Sequence, residues 1–240
     1  MNGSNNAPTL GVKGVSYTLT SAPSIRFTLA DGASASDFKF YVDGKEIDTV
    51  ESYFGIRRID IDGYAVRING KSVFQRLILD QGFYPDGIWT APSDEALKRD
   101  IELSMSVGFN GARLHQKVFE ERFHYWADKL GYLTWGESAS WGSSMNNELA
   151  SRNFIPEWQE VVVRDRNHPS IIIWTPFNET WDYKKRKQYD PLLATVYDYT
   201  KAVDSTRPCI DTSGNFHVKT DIYDLHDYSY DVEFFKNNYD

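Results

Sequence analysis

From residue 74 onward the apolar positions alternate between two patterns, short continuous runs and stripes at helical spacing. Arg76–Asp80, Gly111–His115, Tyr132–Glu137, Ile171–Trp174, Cys209–Ser213 and Tyr223–Tyr228 read as six strands. Leu97, Ile101 and Met105 mark a helix capped by Ser93, acidic in its first turn (Asp94, Glu95) and followed by Gly108. Phe119, Phe123, Trp126, Ala127 and Leu130 stripe a second helix before Gly131. A third is entered at Pro156 and carries Trp158, Val161 and Val162; a fourth, Asp190–Val203, faces the core with Leu192, Leu193, Val196 and Val203. Strands and helices in alternation imply parallel βαβ units whose right-handed crossovers close into a barrel. A complete eight-fold α/β barrel takes ~250 residues, so the expectation is a (β/α)8 TIM-type barrel that is incomplete, with about six strands. An open doubly wound sheet is the structural alternative, but no Gly-rich phosphate loop follows the first strand.

Before residue 63 the pattern is different. Residues 1–9 read as a disordered leader, and Ser24–Leu29 and Phe38–Val42 are alternating segments that end at Asp31-Gly32 and Asp43-Gly44. This is part of an immunoglobulin-like β-sandwich, with fewer strands than the seven or so of a full one. A hairpin follows, Ile59–Ile61 and Tyr64–Ile68, turning at Asp62-Gly63 and closing at Asn69-Gly70. The expected organisation is a partial sandwich domain over 1–62 and a barrel domain over 63–240.

The run Arg164–Glu179 concentrates the chemistry. Ile171–Trp174 is too continuously apolar for a strand with one wet face, so it is buried on both sides. It delivers Asn178 and Glu179 to its carboxyl end, the catalytic end in barrels of this kind. Desolvation there favours a protonated glutamate suited to general-acid work. The other strand ends collect Asp80, Arg113, His115, Trp135, Glu137, Asp211, His226 and Asp227. Polar groups beside Trp and Tyr rings suit a sugar, whose hydroxyls need hydrogen bonds and whose C–H faces stack on rings.

Bulk properties narrow the field. With 240 residues, 41% hydrophobic, the chain can bury a substantial core, and no stretch approaches a membrane span. A net charge of −8 argues against nucleic acid, and the basic run Lys184–Lys187 reads as a solvated loop or helix start. The single Cys209 excludes an intramolecular disulfide and a multi-cysteine zinc site, and leaves the compartment open. His115, Glu137 and His226 lack tandem-histidine helical spacing, so no metal is expected, and nothing calls for a cofactor.

Five runs carry a resemblance. They are Glu51–Arg57, Asp80–Gly87, Gly108–Lys117, Trp126–Gly131 and Arg164–Glu179, and in that order and spacing they resemble glycoside hydrolase family 2, the β-galactosidase and β-glucuronidase family. The resemblance covers residue 45 to the end. It implies a retaining exo-acting β-glycosidase on an eight-stranded barrel preceded by β-sandwich domains. It also implies Glu179 as acid/base, Asn178 as the partner of the sugar 2-hydroxyl, and Asp80, Arg113, His115, Glu137 and His226 as substrate-binding positions; Trp135 is expected beside them from its place at a strand end. The family's nucleophile, a second glutamate on strand seven, has no match in this chain. Retaining chemistry needs two carboxyls ~5–5.5 Å apart, and Glu137, on strand three, is not expected to substitute.

The competing reading is a non-catalytic carbohydrate-binding protein derived from the same fold. Either way the partner is a β-glycoside, not nucleic acid or a membrane, and the unpaired edges of strands one and six invite a homo-oligomer. Purified chain 1–240 is expected to show little or no hydrolysis of aryl β-glycosides; robust turnover in a chromogenic assay would refute that.

Overall fold

The computed structural model of the chain describes residues 9–12, 15–18, 37–42, 45–51, 53–143, 148–180 and 188–239. The chain divides into two compact units, Met1–Ile56 and Arg57–Asp240. In the first, β1 (Thr9–Val12), β2 (Val15–Thr18), β3 (Asp37–Val42) and β4 (Lys45–Glu51) form one antiparallel sheet in the order β2-β1-β3-β4. The strand expected at Ser24–Leu29, the leader before Thr9 and the basic run Lys184–Lys187 lie outside the described residues.

The second unit opens with a three-stranded antiparallel sheet, β5 (Ile59–Asp62), β6 (Ala65–Ile68) and β7 (Lys71–Ser72). Its first turn contains Gly63 at φ 58°, the left-handed conformation that glycine adopts without a side-chain clash. Because β5 and β6 pair across Asp62-Gly63, the division between units falls ahead of this hairpin rather than at 62/63.

Next come β8 (Leu77–Asp80), α1 (Asp94–Ser106), β9 (Gly111–Leu114), α2 (Glu121–Leu130), β10 (Leu133–Glu137), α3 (Glu148–Asp165) and β11 (Ile171–Thr175). The four strands are parallel neighbours in the order β11-β10-β9-β8, as helical crossovers require. Ser93 caps α1 by accepting from the Ala96 N–H, and Gly131 ends α2 at φ 72°. Leu97 and Ile101 are buried, whereas Met105, expected on the same stripe, is exposed at the helix end.

Three sequence expectations are corrected. The third helix does not begin at Pro156: α3 starts at Glu148 and carries the proline inside it. An internal proline costs about 3 kcal/mol. Burial of Phe154, stacked on Phe177 at 4.1 Å, and of Trp158, whose Nε1 donates to Thr200 Oγ1 at 2.7 Å, offsets it.

The fifth strand is broken. β11 is followed by β12 (Phe177–Asn178), α4 (Asp190–Val203) and β13 (Thr212–Ser213); β12 and β13 pair in parallel, and Trp174 bridges Cys209. Pro176, standing in register with Asp211, has no N–H and interrupts the ladder between the two pieces.

The sixth strand, expected at Tyr223–Tyr228, forms no ladder among the described residues. The Asp224 carbonyl accepts from the His217 ring instead of a strand neighbour. The chain closes with α5 (Val232–Tyr239), none of whose residues is buried.

Apolar side chains fill both sides of the parallel sheet. Ile59 of β5, with Val66 and Ile68 of β6, packs against Ile172, Ile173 and Ile210, so the small sheet plugs one side of the barrel strands. On the other side Trp158, Val162, Trp174, Leu193 and Val196 join α3 and α4 to β11.

At the amino end of β11 the charged run before Ile171 is structural. Arg57 donates to the carbonyls of Pro169 (2.8 Å) and Ile171 (2.9 Å), and Arg207 to those of His168 (2.7 Å) and Ile171 (2.6 Å). Asp128 takes the His168 ring at 2.6 Å and the Ser170 N–H at 2.8 Å. Asp204 pairs with Arg207 and accepts from Trp174 Nε1 at 2.9 Å.

The Asp204 and Arg207 side chains are only 3% and 2% exposed. Arg207→Ala therefore strands a buried carboxylate and is expected to cost about 3–5 kcal/mol in urea unfolding, with Asp204→Asn/Arg207→Leu costing less than the single change. A loss below about 1 kcal/mol, as for a surface pair, would contradict this.

Candidate active site

Parallel strands share a direction, so β9, β10, β12 and β13 deliver their last residues to one end of the sheet. Arg113 sits at its centre. Its Nε donates to Glu137 Oε2 at 2.7 Å, its Nη2 to Asn178 Oδ1 at 2.6 Å and its Nη1 to His226 Nε2 at 3.1 Å. Both ionic partners are buried, the side chains of Arg113 and Glu137 being 10% and 0% exposed. Glu137 completes its shell with the Gln116 N–H on Oε1 at 3.0 Å. Burial pushes the Glu137 carboxyl above its ordinary value despite the Arg113 charge that pulls the other way.

Glu179 follows Asn178 at φ 33°, and Gln116 lies at φ 58°. Left-handed backbone costs a non-glycine residue about 1–3 kcal/mol and persists where surrounding contacts impose it. For Glu179 those contacts are its N–H on Ser213 O (3.0 Å) and the burial of Asn178. Gln116 is fixed by its own amide, which accepts from the N–H groups of Ser140 (2.8 Å) and Trp141 (2.9 Å) and donates to Ser140 Oγ (2.9 Å).

The setting of Glu179 is less desolvated than its place after an apolar strand suggests. Its side chain is 29% exposed, and Oε1 takes two hydrogen bonds, from His226 Nδ1 at 2.5 Å and Tyr228 OH at 3.1 Å. His115 is deeper. Burial, with the Arg113 charge beside it, drives its pKa down to about 4, so the ring is neutral at pH 7. It bonds to Gln81 Nε2 at 2.8 Å and meets the exposed Trp141 ring edge-on at 5.0 Å.

Arg113, Glu137, Asn178, Glu179, His226 and His115 thus form one constellation. Two expected members do not join the Arg113 network. Asp80 turns the loop after β8 by accepting the Gly82 N–H at 2.8 Å. Trp135 points into the apolar cluster around Ile59 and donates to Gln75 at 2.6 Å. Asp227 accepts from the Ser229 N–H at 2.7 Å, and Trp181, two residues after Glu179, lies outside the described residues. Among the described residues no group of three His, Cys, Asp or Glu side chains is arranged to hold a metal ion.

Sequence reasoning missed a second tier: Gln116, Ser213, His217, Asp224 and Tyr228. The visible signal was Ser213-Gly214 at a strand end with His217 and Asp224 close behind it. Asp211, fully buried, accepts from the N–H groups of Thr212, Val218 and Lys219 and from His217 Nδ1 at 2.7 Å. His217 Nε2 reaches the Asp224 carbonyl at 3.0 Å and its carboxylate at 3.3 Å.

Comparison with known proteins identifies the fold and the family. The sequence model for the TIM barrel domain of glycosyl hydrolases family 2 matches residues 90–236. A beta-galactosidase of Lactococcus lactis is 32% identical over 161 residues, 64% of this chain and 15% of that protein. A beta-glucuronidase of Chlorocebus aethiops is 29% identical over 115 residues, 47% of this chain and 17% of that protein. The crystal structure of a glycosyl hydrolase family 2 member from Bacteroides cellulosilyticus superposes with a TM-score of 0.64 at 26% identity, over 76% of this chain and 24% of that one. The chain therefore spans less than a quarter of the length of each of these relatives.

One electrostatic consequence is measurable. Burial opposes a charge on His217, but its bonds to Asp211 and Asp224 outweigh that and raise its pKa from 6.5 to about 10. The folded protein then holds this proton more tightly than the unfolded chain. Its stabilisation is complete below pH 6.5 and is lost as pH rises toward about 10. Over that window the urea midpoint should fall more steeply for the wild-type chain than for His217→Gln; parallel curves would rule this out.

Proposed function

The chain belongs to glycoside hydrolase family 2, and from that premise we propose that it carries the acid/base half of a retaining exo-β-glycosidase acting on terminal β-galactoside or β-glucuronide type sugars. The observation that carries the proposal is the Asn178–Glu179 pair at a barrel strand end, its amide held by Arg113 and its carboxylate by His226 and Tyr228.

Glu179 is the acid/base. Both of its described hydrogen bonds fall on Oε1, leaving Oε2 for the exchangeable proton. In the first step Oε2–H protonates the glycosidic oxygen as the C1–O bond breaks and a second carboxylate attacks C1 from the opposite face. In the second step the Glu179 carboxylate removes a proton from water, which displaces the enzyme carboxylate and returns the anomeric configuration. Asn178 Oδ1 is occupied by Arg113, which turns the amide NH2 away from the guanidinium and makes it the donor for the sugar 2-hydroxyl. That contact strengthens as positive charge develops at C1. His115 and Trp141 supply a neutral imidazole and an exposed ring at the mouth.

Glu137 is not the second carboxylate. Both of its oxygens are engaged, by Arg113 and by the Gln116 N–H, and its task is to compensate and orient the guanidinium. On this reading the nucleophile is none of residues 1–240. The first unit, with its antiparallel sheet, belongs to an accessory β-sandwich domain.

The test is Glu179→Gln in the full-length polypeptide. Removing a general acid is expected to lower kcat/KM for phenyl β-glycosides, whose leaving group needs protonation, by about 10²–10⁴-fold. Dinitrophenyl glycosides, whose leaving group does not, should be cleaved at a much less altered rate. Azide should restore turnover and yield a β-glycosyl azide, because an anionic nucleophile needs no base. Full activity of the variant on both substrates would defeat the assignment.

A further inference from the structure

We propose that Ser213, Gly214 and Asp224 form a seat for the imidazole of His226, and that by fixing this ring against Glu179 they act as positioning residues for proton transfer to the leaving group. The inference rests on the acid/base reading of Glu179 and adds residues to which that reading assigns no role.

The seat is built from three contacts, two at Nε2 and one against the ring itself. At the far edge, His226 Nε2 lies 3.0 Å from Ser213 Oγ, and Ser213 Oγ donates to Asp224 Oδ2 at 2.5 Å. Asp224 is itself anchored, taking the Gly214 N–H on Oδ1 at 3.2 Å and lying beside His217 at 3.3 Å. Behind that stands fully buried Asp211, so the support runs without a gap from the barrel wall to Glu179.

Against the ring lies Gly214. A Cβ at this position would fall 2.3 Å from His226 Cγ and 2.4 Å from both Cδ2 and Nδ1, and its φ of +71° already favours glycine. The imidazole is therefore seated directly on a bare Cα, and any side chain there displaces it.

The third contact is Arg113 Nη1, 3.1 Å from the same Nε2 that faces Ser213. An arginine N–H can only donate, whereas a serine oxygen whose hydrogen goes to a carboxylate can only accept. Nε2 consequently has a partner in either state. Unprotonated, it accepts from Arg113; protonated, it donates to Ser213 and the charge is answered by Asp224. In both states Nδ1 stays directed at Glu179 Oε1, 2.5 Å away. A ring with a partner for each protonation state holds its place while the proton on Glu179 leaves and returns.

Loosening the seat should therefore act through Glu179 and not through sugar binding. In the full-length enzyme, Ser213→Ala and Gly214→Ala are expected to lower kcat/KM for phenyl β-glycosides by about 10- to 100-fold, the effect of a catalytic group displaced by around an ångström. Dinitrophenyl glycosides should be nearly unaffected, and Ser213→Thr, which keeps the hydroxyl, should recover most of the phenyl rate. Asp224→Asn gives an independent reading should Gly214→Ala fold poorly. Equal losses on both substrates, or none, in Ser213→Ala and Asp224→Asn while Glu179→Gln keeps its leaving-group selectivity would overturn the seat alone. A Glu179→Gln enzyme without that selectivity would overturn the acid/base reading and the seat with it.

Discussion

A guanidinium buried at the ends of several strands must find acceptors for its donors or the fold does not tolerate it. Arg113 meets that requirement by taking one acceptor from each of three separate segments: Glu137 at the end of β10, Asn178 at the end of β12, and His226 from the stretch after β13. The same requirement assembles the site. Glu137 is held by Arg113 and the Gln116 N–H, Gln116 holds the backbone of Ser140 and Trp141, and His226 holds Glu179. Electrostatic satisfaction of one cation and the arrangement of the proposed sugar-facing groups are the same set of bonds.

The two ends of β11 and its continuation divide the work. At the amino end, Arg57, Arg207 and Asp128 tie down carbonyls and N–H groups with short, fully buried or half-buried bonds. Past the carboxyl end, the backbone of Glu179 is held in a left-handed conformation that ordinary packing does not favour. Local strain of this kind persists only on a rigid support. The apolar strand between, with Ile172 and Ile173 against the β5–β6 hairpin and Trp174 against α3 and α4, provides it. That explains why so charged a motif precedes so apolar a strand: the charges before Ile171 serve stability, and the pair after Pro176 carries the proposed chemistry.

The stretch from Asp211 to Tyr228 shows the same economy with little regular structure. It forms no long ladder, yet its polar side chains bond inward in sequence, Asp211 to His217, His217 to Asp224, Asp224 to Ser213, Ser213 to His226, His226 to Glu179. Side-chain bonds here do what strand pairing does elsewhere in the barrel, and they place titratable groups where a ladder would have placed backbone.

Periodicity alone determined the helices α1, α2 and α4 and the buried strands, because burial leaves a repeat of hydrophobic positions in the chain itself. Strand order then placed Arg113, His115, Glu137, Asn178 and Glu179 at one end, since parallel strands share a direction. Partners were not legible. Arg113 meets Asn178 and His226 across 65 and 113 positions, distances over which no local pattern carries information. Pro156 marks a helix start by local propensity, yet α3 carries it inside because tertiary burial of Phe154 and Trp158 overrides that propensity. Trp135 and Asp80 looked like site residues by their place in the strands, but a side chain's direction and its nearest partner decide its role, and those sent one into the core and the other into its own turn. The seat of His226, on a glycine Cα and a serine hydroxyl, exists only once the folded chain brings residues 213, 214, 224 and 226 together.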